Sequence, residues 1–207
     1  MALLPVTGTE GYAEEASELL QRYEGIPAAD THRAVLHLIP TAPSRILDIG
    51  SGTGRDAAWF ASLGHRVVAV EPTDALRLPA IALHPSPQIE WLNDSLPELA
   101  LLLARGERFD LVMLTAVWMH LNGEQRRRAM PNLAALVCAG GTVIMTIRHG
   151  PVPMGRRMFE ITAEETIELA RMHGLQPILN LRTESIQARN RAAGVTWSNL
   201  AFAKARN

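Results

Sequence analysis

The chain has 207 residues, of which 47% are hydrophobic and 20% charged, and its formal net charge is -1. That length supports one well-cored domain, and the apolar content excludes a chain left disordered for want of a core. Near-neutral charge argues against a dedicated nucleic-acid binder, although a local basic patch stays open.

Cys138 is the only cysteine, so no disulfide forms within the chain, which suits a reducing compartment. The opening stretch Met1 to Gly8 lacks the basic and apolar segments of a signal peptide. No segment approaches ~18 uncharged apolar residues. The expectation is a cytoplasmic protein without a membrane span.

From Glu10 to Tyr23, apolar or aromatic residues recur at helical spacing (Tyr12, Ala16, Leu19, Leu20, Tyr23). A second short helix is predicted from Thr31 to Ile39, with Asp30 as N-cap and Pro40 as stop. Residues 1–40 thus read as a helical cap on a unit spanning 41–207. In that unit, short β-rich runs alternate with helical stretches. The strands are Arg45–Ile49, Arg66–Glu71, Gln88–Leu92, Phe109–Thr115 and Thr142–Arg148. Helices are predicted near Arg55–Leu63, Asp74–Leu83, Leu96–Arg105 and Glu124–Val137, with Pro79 and Pro131 splitting or delaying two of them. The run from Asp110 to Thr115 is continuously apolar between its end residues, as a strand buried on both faces of a parallel sheet requires. This alternation predicts a doubly wound α/β fold.

After Arg148 the rhythm changes. A loop from His149 to Arg157 leads to a helix beginning at Thr162, where Thr162-Ala-Glu-Glu has capping-box spacing and Gly174 supplies the stop. Two β-rich segments, Pro177–Ile186 and Val195–Lys204, then pair antiparallel and close one edge of the sheet.

The chemistry concentrates where the first strand runs out through Asp48-Ile-Gly50-Ser51-Gly52-Thr-Gly54-Arg55-Asp56. Glycines there admit tight backbone angles and close approach of a ligand, and the following helix offers unpaired N–H groups. About 20 residues on, Glu71 ends the second strand, where a carboxylate accepts hydrogen bonds from the ribose hydroxyls of an adenosine cofactor. A dinucleotide turn needs G-x-G-x-x-G, but Arg55 stands in the third glycine's place. The register G-x-G-x-G, with Asp48 two residues upstream, favours a cofactor bearing an amino acid over NAD.

These residues resemble the cofactor signature of class I S-adenosylmethionine-dependent methyltransferases. The likeness continues through Glu71-Pro72 after Val67–Val70, Trp91-Leu-Asn-Asp94-Ser95, the strand ending at Thr115 with Ala-Val-Trp118-Met-His120 after it, and Cys138-Ala-Gly140-Gly141. It covers roughly residues 40 to 205 in order. It implies a Rossmann-like doubly wound seven-stranded sheet with an antiparallel last strand and an N-terminal helical cap. It also implies S-adenosylmethionine as methyl donor and S-adenosylhomocysteine as product, with Asp94 near the adenine amino group. Asp94 reads equally as an N-cap, Glu71 as a plain strand end, Asp48 as a loop organiser, and Asp56 as a first-turn helix charge. Arg55 is within reach of the cofactor carboxylate.

His120 lies at the carboxyl edge of the sheet, where an imidazole serves as general base, lines the pocket, or packs beside Trp118 and Met119. Trp118, Arg148 and His149 are further pocket residues. Arg156 and Arg157, with Arg148, form either an anionic-substrate patch or a solvated loop; Arg126 to Arg128 read as a solvent face. Tyr12 and Tyr23 either close the pocket or pack as core. Cys138 reads as the core end of a helix. No Cys/His cluster has metal-ligand spacing. The expected function is methyl transfer to a small-molecule oxygen or nitrogen nucleophile; nucleic-acid and protein acceptors, and the oligomeric state, stay open. The alternatives are an NAD-dependent oxidoreductase and a non-catalytic S-adenosylmethionine-binding partner module.

Overall fold

The computed structural model describes residues 6–206; the first five residues of the stretch read for a signal peptide, and Asn207, lie outside it. One mixed sheet carries the architecture. Its strands are β1 (Arg45–Ile49), β2 (Arg66–Val70), β3 (Ile89–Leu92), β4 (Phe109–Thr115), β5 (Val137–His149), β6 (Leu175–Glu184) and β7 (Thr196–Lys204). They lie in the order β3-β2-β1-β4-β5-β7-β6. The first five pair in parallel, and β7 runs antiparallel between β5 and β6. A dinucleotide-binding sheet of order 3-2-1-4-5-6 has no such inserted strand.

Two apolar layers sandwich the sheet because its central strands are apolar on both faces. Leu47, Val112, Val143, Met145 and Ile147 face one layer with the helices α6 (Gly123–Leu136) and α7 (Ala163–Met172). Ile46, Leu111, Met113, Ile144 and Ala201 face the other, against the helix α3 (Arg55–Ser62). Odd and even strand residues therefore point to opposite layers. The second layer's face, continued to the carboxyl ends of the strands, carries Asp48, Thr115, Thr146 and Arg148.

Several helices depart from the expectation. The amino-terminal helix is α1 (Ala16–Glu24), with turns rather than helix over 10–15. The span predicted as one helix from Thr31 to Ile39 breaks into α2 (Ala28–Thr31), turns, and a 3-10 turn at Leu36–Leu38. The break falls at His32, which is drawn inward to Asp56 at 2.8 Å and stacks on Trp59; Asp30 pairs with Arg33 instead of capping. The helix predicted over Leu96–Arg105 forms only as α5 (Ala100–Ala104), because Leu99 takes a left-handed conformation (φ 48°) just before it.

Pro79 and Pro131 split nothing. α4 (Asp74–Leu83) and α6 run through them. The carbonyls left without a helical donor, those of Ala75 and Arg127, belong to a half-buried and an exposed residue, so solvent can serve them. Arg126 is not on a solvent face. It is buried, donating to the Leu121 carbonyl at 2.6 Å and pairing with Glu165. Cys138 is the second residue of β5 and is only half-buried, beside Asp110. α8 (Ala188–Ala192) lies in the connection between β6 and β7.

Candidate functional site

A single cavity of about 1130 Å³ opens at the carboxyl ends of β1, β2, β4 and β5. Ligand pockets commonly span ~300–1,000 Å³, so it has room for a nucleoside-sized cofactor together with a small acceptor.

The cofactor half is built on the turn after β1. Gly50 and Ser51 donate N–H groups to the Val70 carbonyl at 2.8 and 3.0 Å, folding the turn over the end of β2. Gly52 (φ 57°) faces open space: a Cβ there would meet nothing closer than the Gly50 carbonyl at 4.0 Å. A side chain at this place would fill the cavity rather than the protein. Gly54 (φ 85°) is different, because its Cβ would stand 2.5 Å from Trp91 and 2.9 Å from His84. It is a packing glycine behind the cavity wall.

Glu71 is buried at the end of β2. Its carboxylate accepts from the Gly52 N–H at 2.9 Å and the Thr73 N–H at 2.8 Å. Burial pushes its pKa up, and these N–H donors oppose the rise. A carboxylate has about four acceptor positions, so two remain for hydroxyl donors from the cavity side. Asp48 lies beneath the turn, 1% exposed, and its Oδ2 has no hydrogen-bond partner. Burial, then the nearby Asp56 charge, raises its pKa well above the carboxylate range. The buried hydroxyls of Ser51 and Thr115, which line the cavity, also lack partners. Buried polar atoms are rarely left unpaired, and three orphans meet where β1 and β4 end. The donor set suits the adenosyl and amino-acid parts of S-adenosylmethionine: ribose hydroxyls at Glu71, polar groups at Ser51 and Thr115, and positive charge near Asp48.

Asp56 does more than favour the helix end. It accepts from His32 Nε2 at 2.8 Å and pairs with Arg55 at 2.7 Å. Burial opposes its charge, but His32 and Arg55 outweigh that and hold the carboxyl well below its ordinary range. Arg55 is thereby committed to Asp56 rather than extended to a ligand carboxylate. Asp94 lines the cavity beside Ser95 and Pro72, yet its two oxygens accept the N–H groups of Ser95 (2.9 Å) and Leu102 (3.0 Å). It organises the turn into α5 as well as facing the cavity.

The other half gathers around His120. Its Nδ1 lies 2.7 Å from the Arg157 carbonyl, which can only accept, so Nδ1 carries the hydrogen. Its Nε2 is therefore the acceptor in the neutral ring, and the Tyr12 hydroxyl donates to it at 3.0 Å. Burial lowers the His120 pKa, with Arg156 adding to the effect and the Arg157 carbonyl opposing it. Burial likewise raises that of Tyr12. Arg156 lies over the Tyr12 ring, 4.1 Å from its centre, and pairs with Glu15 at 2.8 Å. Arg157 pairs with Glu10. The arginine loop is thus neither fully solvated nor a free anion patch: it clamps the amino-terminal segment over the cavity.

Two expected pocket residues are elsewhere. Trp118 is wholly buried in the layer against α6 and α7, donating to the Thr166 hydroxyl at 3.2 Å. The 3-10 turn Trp118–His120 sends the indole into the core and leaves its neighbours Val117, Met119 and His120 on the cavity. His149 also faces away. Successive residues of β5 alternate faces, so while Arg148 lines the cavity, His149 meets Ser198 at 2.8 Å on the other side. Sequence reading missed Thr146, Trp197 and Asn199, which share Arg148's face. The period-two pattern of β7 would have exposed the last two once its pairing partner was known.

Residues 46–141 match the family model described as a methyltransferase domain. The match, over just under half of the chain, and the inserted antiparallel strand make the chain similar to class I S-adenosylmethionine-dependent methyltransferases. Proteins named uncharacterized methyltransferases from Mycobacterium bovis and Mycobacterium tuberculosis are 28% identical to it over 115 residues, 52% of this chain. The aligned stretch spans about two fifths (41%) of those relatives. Among solved structures, the Burkholderia thailandensis 1,6-didemethyltoxoflavin-N1-methyltransferase, bound to 1,6-didemethyltoxoflavin and S-adenosylhomocysteine, superposes with a TM-score of 0.70 at 24% identity, covering 99% of this chain and 93% of its own. The [4+2]-cyclase SpnF superposes at 0.75 with 16% identity over 100% and 99%. At these identities the superpositions speak for the fold alone.

Proposed function

We propose that this protein transfers the methyl group of S-adenosylmethionine to a nitrogen or oxygen nucleophile of a small molecule. The observation that carries the proposal is the cluster at the exit of β1: a glycine open to the cavity, a buried Glu71 with acceptor positions to spare, and three orphaned polar atoms. The 1,6-didemethyltoxoflavin methyltransferase, holding a small heterocycle and S-adenosylhomocysteine on the same fold, supports a small-molecule acceptor. The near-neutral overall charge does so too.

The sulfonium supplies an activated methyl group, so the protein has to align the acceptor, exclude water and take away a proton. Alignment alone lowers a barrier by about 7–11 kcal/mol. Tyr12 and His120 supply the proton path. As the nucleophile loses its proton to the Tyr12 oxygen, Tyr12 passes its own to His120 Nε2, and the Arg157 carbonyl steadies the ring through Nδ1. The depressed pKa of His120 keeps its Nε2 lone pair available near neutral pH. Calorimetry tests the donor assignment directly. S-adenosylhomocysteine is expected to bind and NAD is not; saturation by NAD, or silence with S-adenosylhomocysteine, would overturn it.

A further inference from the structure

Resting on that reading, one feature of the acceptor half goes beyond it. Four partly buried arginines line the cavity: Arg22, Arg55, Arg148 and Arg156. Three have carboxylate partners, Arg22 with Glu18, Arg55 with Asp56 and Arg156 with Glu15. Arg148 has none among the described residues. Within the described residues its guanidinium donates a single N–H, to the Pro151 carbonyl at 2.7 Å. A guanidinium has five N–H donors, so most of its fork is unspent.

The sheet fixes where that fork stands. Arg148 is the penultimate residue of β5 and pairs across with Trp197 of β7, which pairs in turn with Thr183 of β6. Directly opposed residues share a face, so the three form one row, and all line the cavity. The next row down is Thr146 and Asn199. Asn199 is tied to the Leu181 carbonyl and the Thr183 hydroxyl, which fixes the wall beside the arginine. Arg148 is half-buried in this row opposite Trp197, with no acid among the described residues to neutralise it. Leaving a desolvated charge unpaired is costly, and a planar fork matches a carboxylate through paired N–H···O bonds.

We propose that the methyl acceptor carries a carboxylate, seated on Arg148 against Trp197, while its nucleophile points to Tyr12 and His120. Arg189 also lines the cavity without an acid partner among the described residues, but it is exposed and solvated, so the one partly buried cation left uncompensated matches a monoanion; a phosphate dianion would call for a second. Arg148 is a specificity residue in this arrangement and takes no proton.

The test uses a matched series, 4-(aminomethyl)benzoate, its carboxamide and its phenylphosphonate analogue, titrated into the full chain with and without S-adenosylhomocysteine. Ligand-observed NMR reads affinity, and release of S-adenosylhomocysteine from S-adenosylmethionine reads turnover. Wild type should bind the benzoate at least about 10-fold better than the carboxamide, which is the worth of about 1.4 kcal/mol. Arg148→Gln should erase that difference and leave the carboxamide and S-adenosylhomocysteine affinities unchanged, and Arg148→Lys should restore part of it. Equal binding of benzoate and carboxamide, including no binding of either, overturns the proposal, as does a preference that survives in Arg148→Gln. Tighter binding of the phosphonate than the benzoate overturns the monoanion assignment. Because carboxylate preference is also read without cofactor, its failure is separable from a failure to bind S-adenosylhomocysteine, which would strike the methyltransferase reading instead.

Discussion

Both ring nitrogens of His120 are engaged, Nδ1 by a carbonyl and Nε2 by a phenol, which separates the consequences of substituting the pair. Tyr12→Phe removes the donor to Nε2 while keeping the ring beneath Arg156. It should lower kcat by about 10²-fold or more, as loss of general acid–base catalysis does, with S-adenosylhomocysteine affinity retained. The working imidazole is neutral and its pKa lies below the ordinary 6.5, so protonation inactivates it and the acid limb of the kcat profile should fall below pH 6.5. A limb above that value would remove His120 from the proton path. Glu71→Ala should cost about 1.5–3 kcal/mol of cofactor affinity for each hydrogen bond lost to the charged group, read by calorimetry. At Asp56 the sign concerns stability. Its carboxyl is held below the ordinary 3.8, so the unfolded chain binds the proton more readily. The stabilisation is therefore complete above pH 3.8 and drains away as the pH falls beneath it. Asp56→Asn should flatten that acid limb in denaturant titrations, and should destabilise the protein at neutral pH by leaving Arg55 and His32 without their anion.

The turn between β1 and α3 holds two glycines that do opposite work. Gly52→Val adds a side chain to open space in the cavity, so cofactor binding should vanish; its φ of 57° adds strain of roughly 1–2 kcal/mol that lowers Tm, while circular dichroism stays that of the folded protein. Gly54→Ala drives a Cβ into Trp91 and His84 in a backbone conformation that costs an L-residue roughly 1–2 kcal/mol even without a clash. It should lower Tm. The reverse pattern would mean the turn packs otherwise. At the same scale, the arginine loop after β5 acts as a strap. Arg156 and Arg157 hold the segment carrying Tyr12 through Glu15 and Glu10, so the element that brings the phenol to His120 is fixed by ion pairs distant in sequence.

Across the whole molecule, one cavity is walled by the amino-terminal segment, the β1–α3 turn, the end of β5 and the β6–β7 connection. A ligand bound there touches parts of the chain from both ends and should stabilise them together. At a concentration 100 times its Kd, S-adenosylhomocysteine should add about 2.7 kcal/mol of stability. For a protein of this size that raises Tm by roughly 5–10 °C, measurable by scanning calorimetry. NAD at the same concentration should leave Tm unmoved. Among the described residues no helix is long and apolar enough to cross a membrane.

The parallel core and the glycine turn were legible in the sequence because both are local signals. Continuous apolar runs such as Leu111 to Leu114 report burial on both faces, and Gly50, Gly52 and Gly54 report backbone angles that other residues resist. Ionic and polar side chains carry no such local signature, since what each meets depends on residues tens of positions away. Only the folded chain decided that Asp56 would hold Arg55 and His32, that Tyr12 would reach His120 across 108 positions, and that Trp118 would turn inward. It alone sent Arg148 to the cavity and its neighbour His149 away, because strand alternation sets opposite faces while packing chooses which face is the pocket.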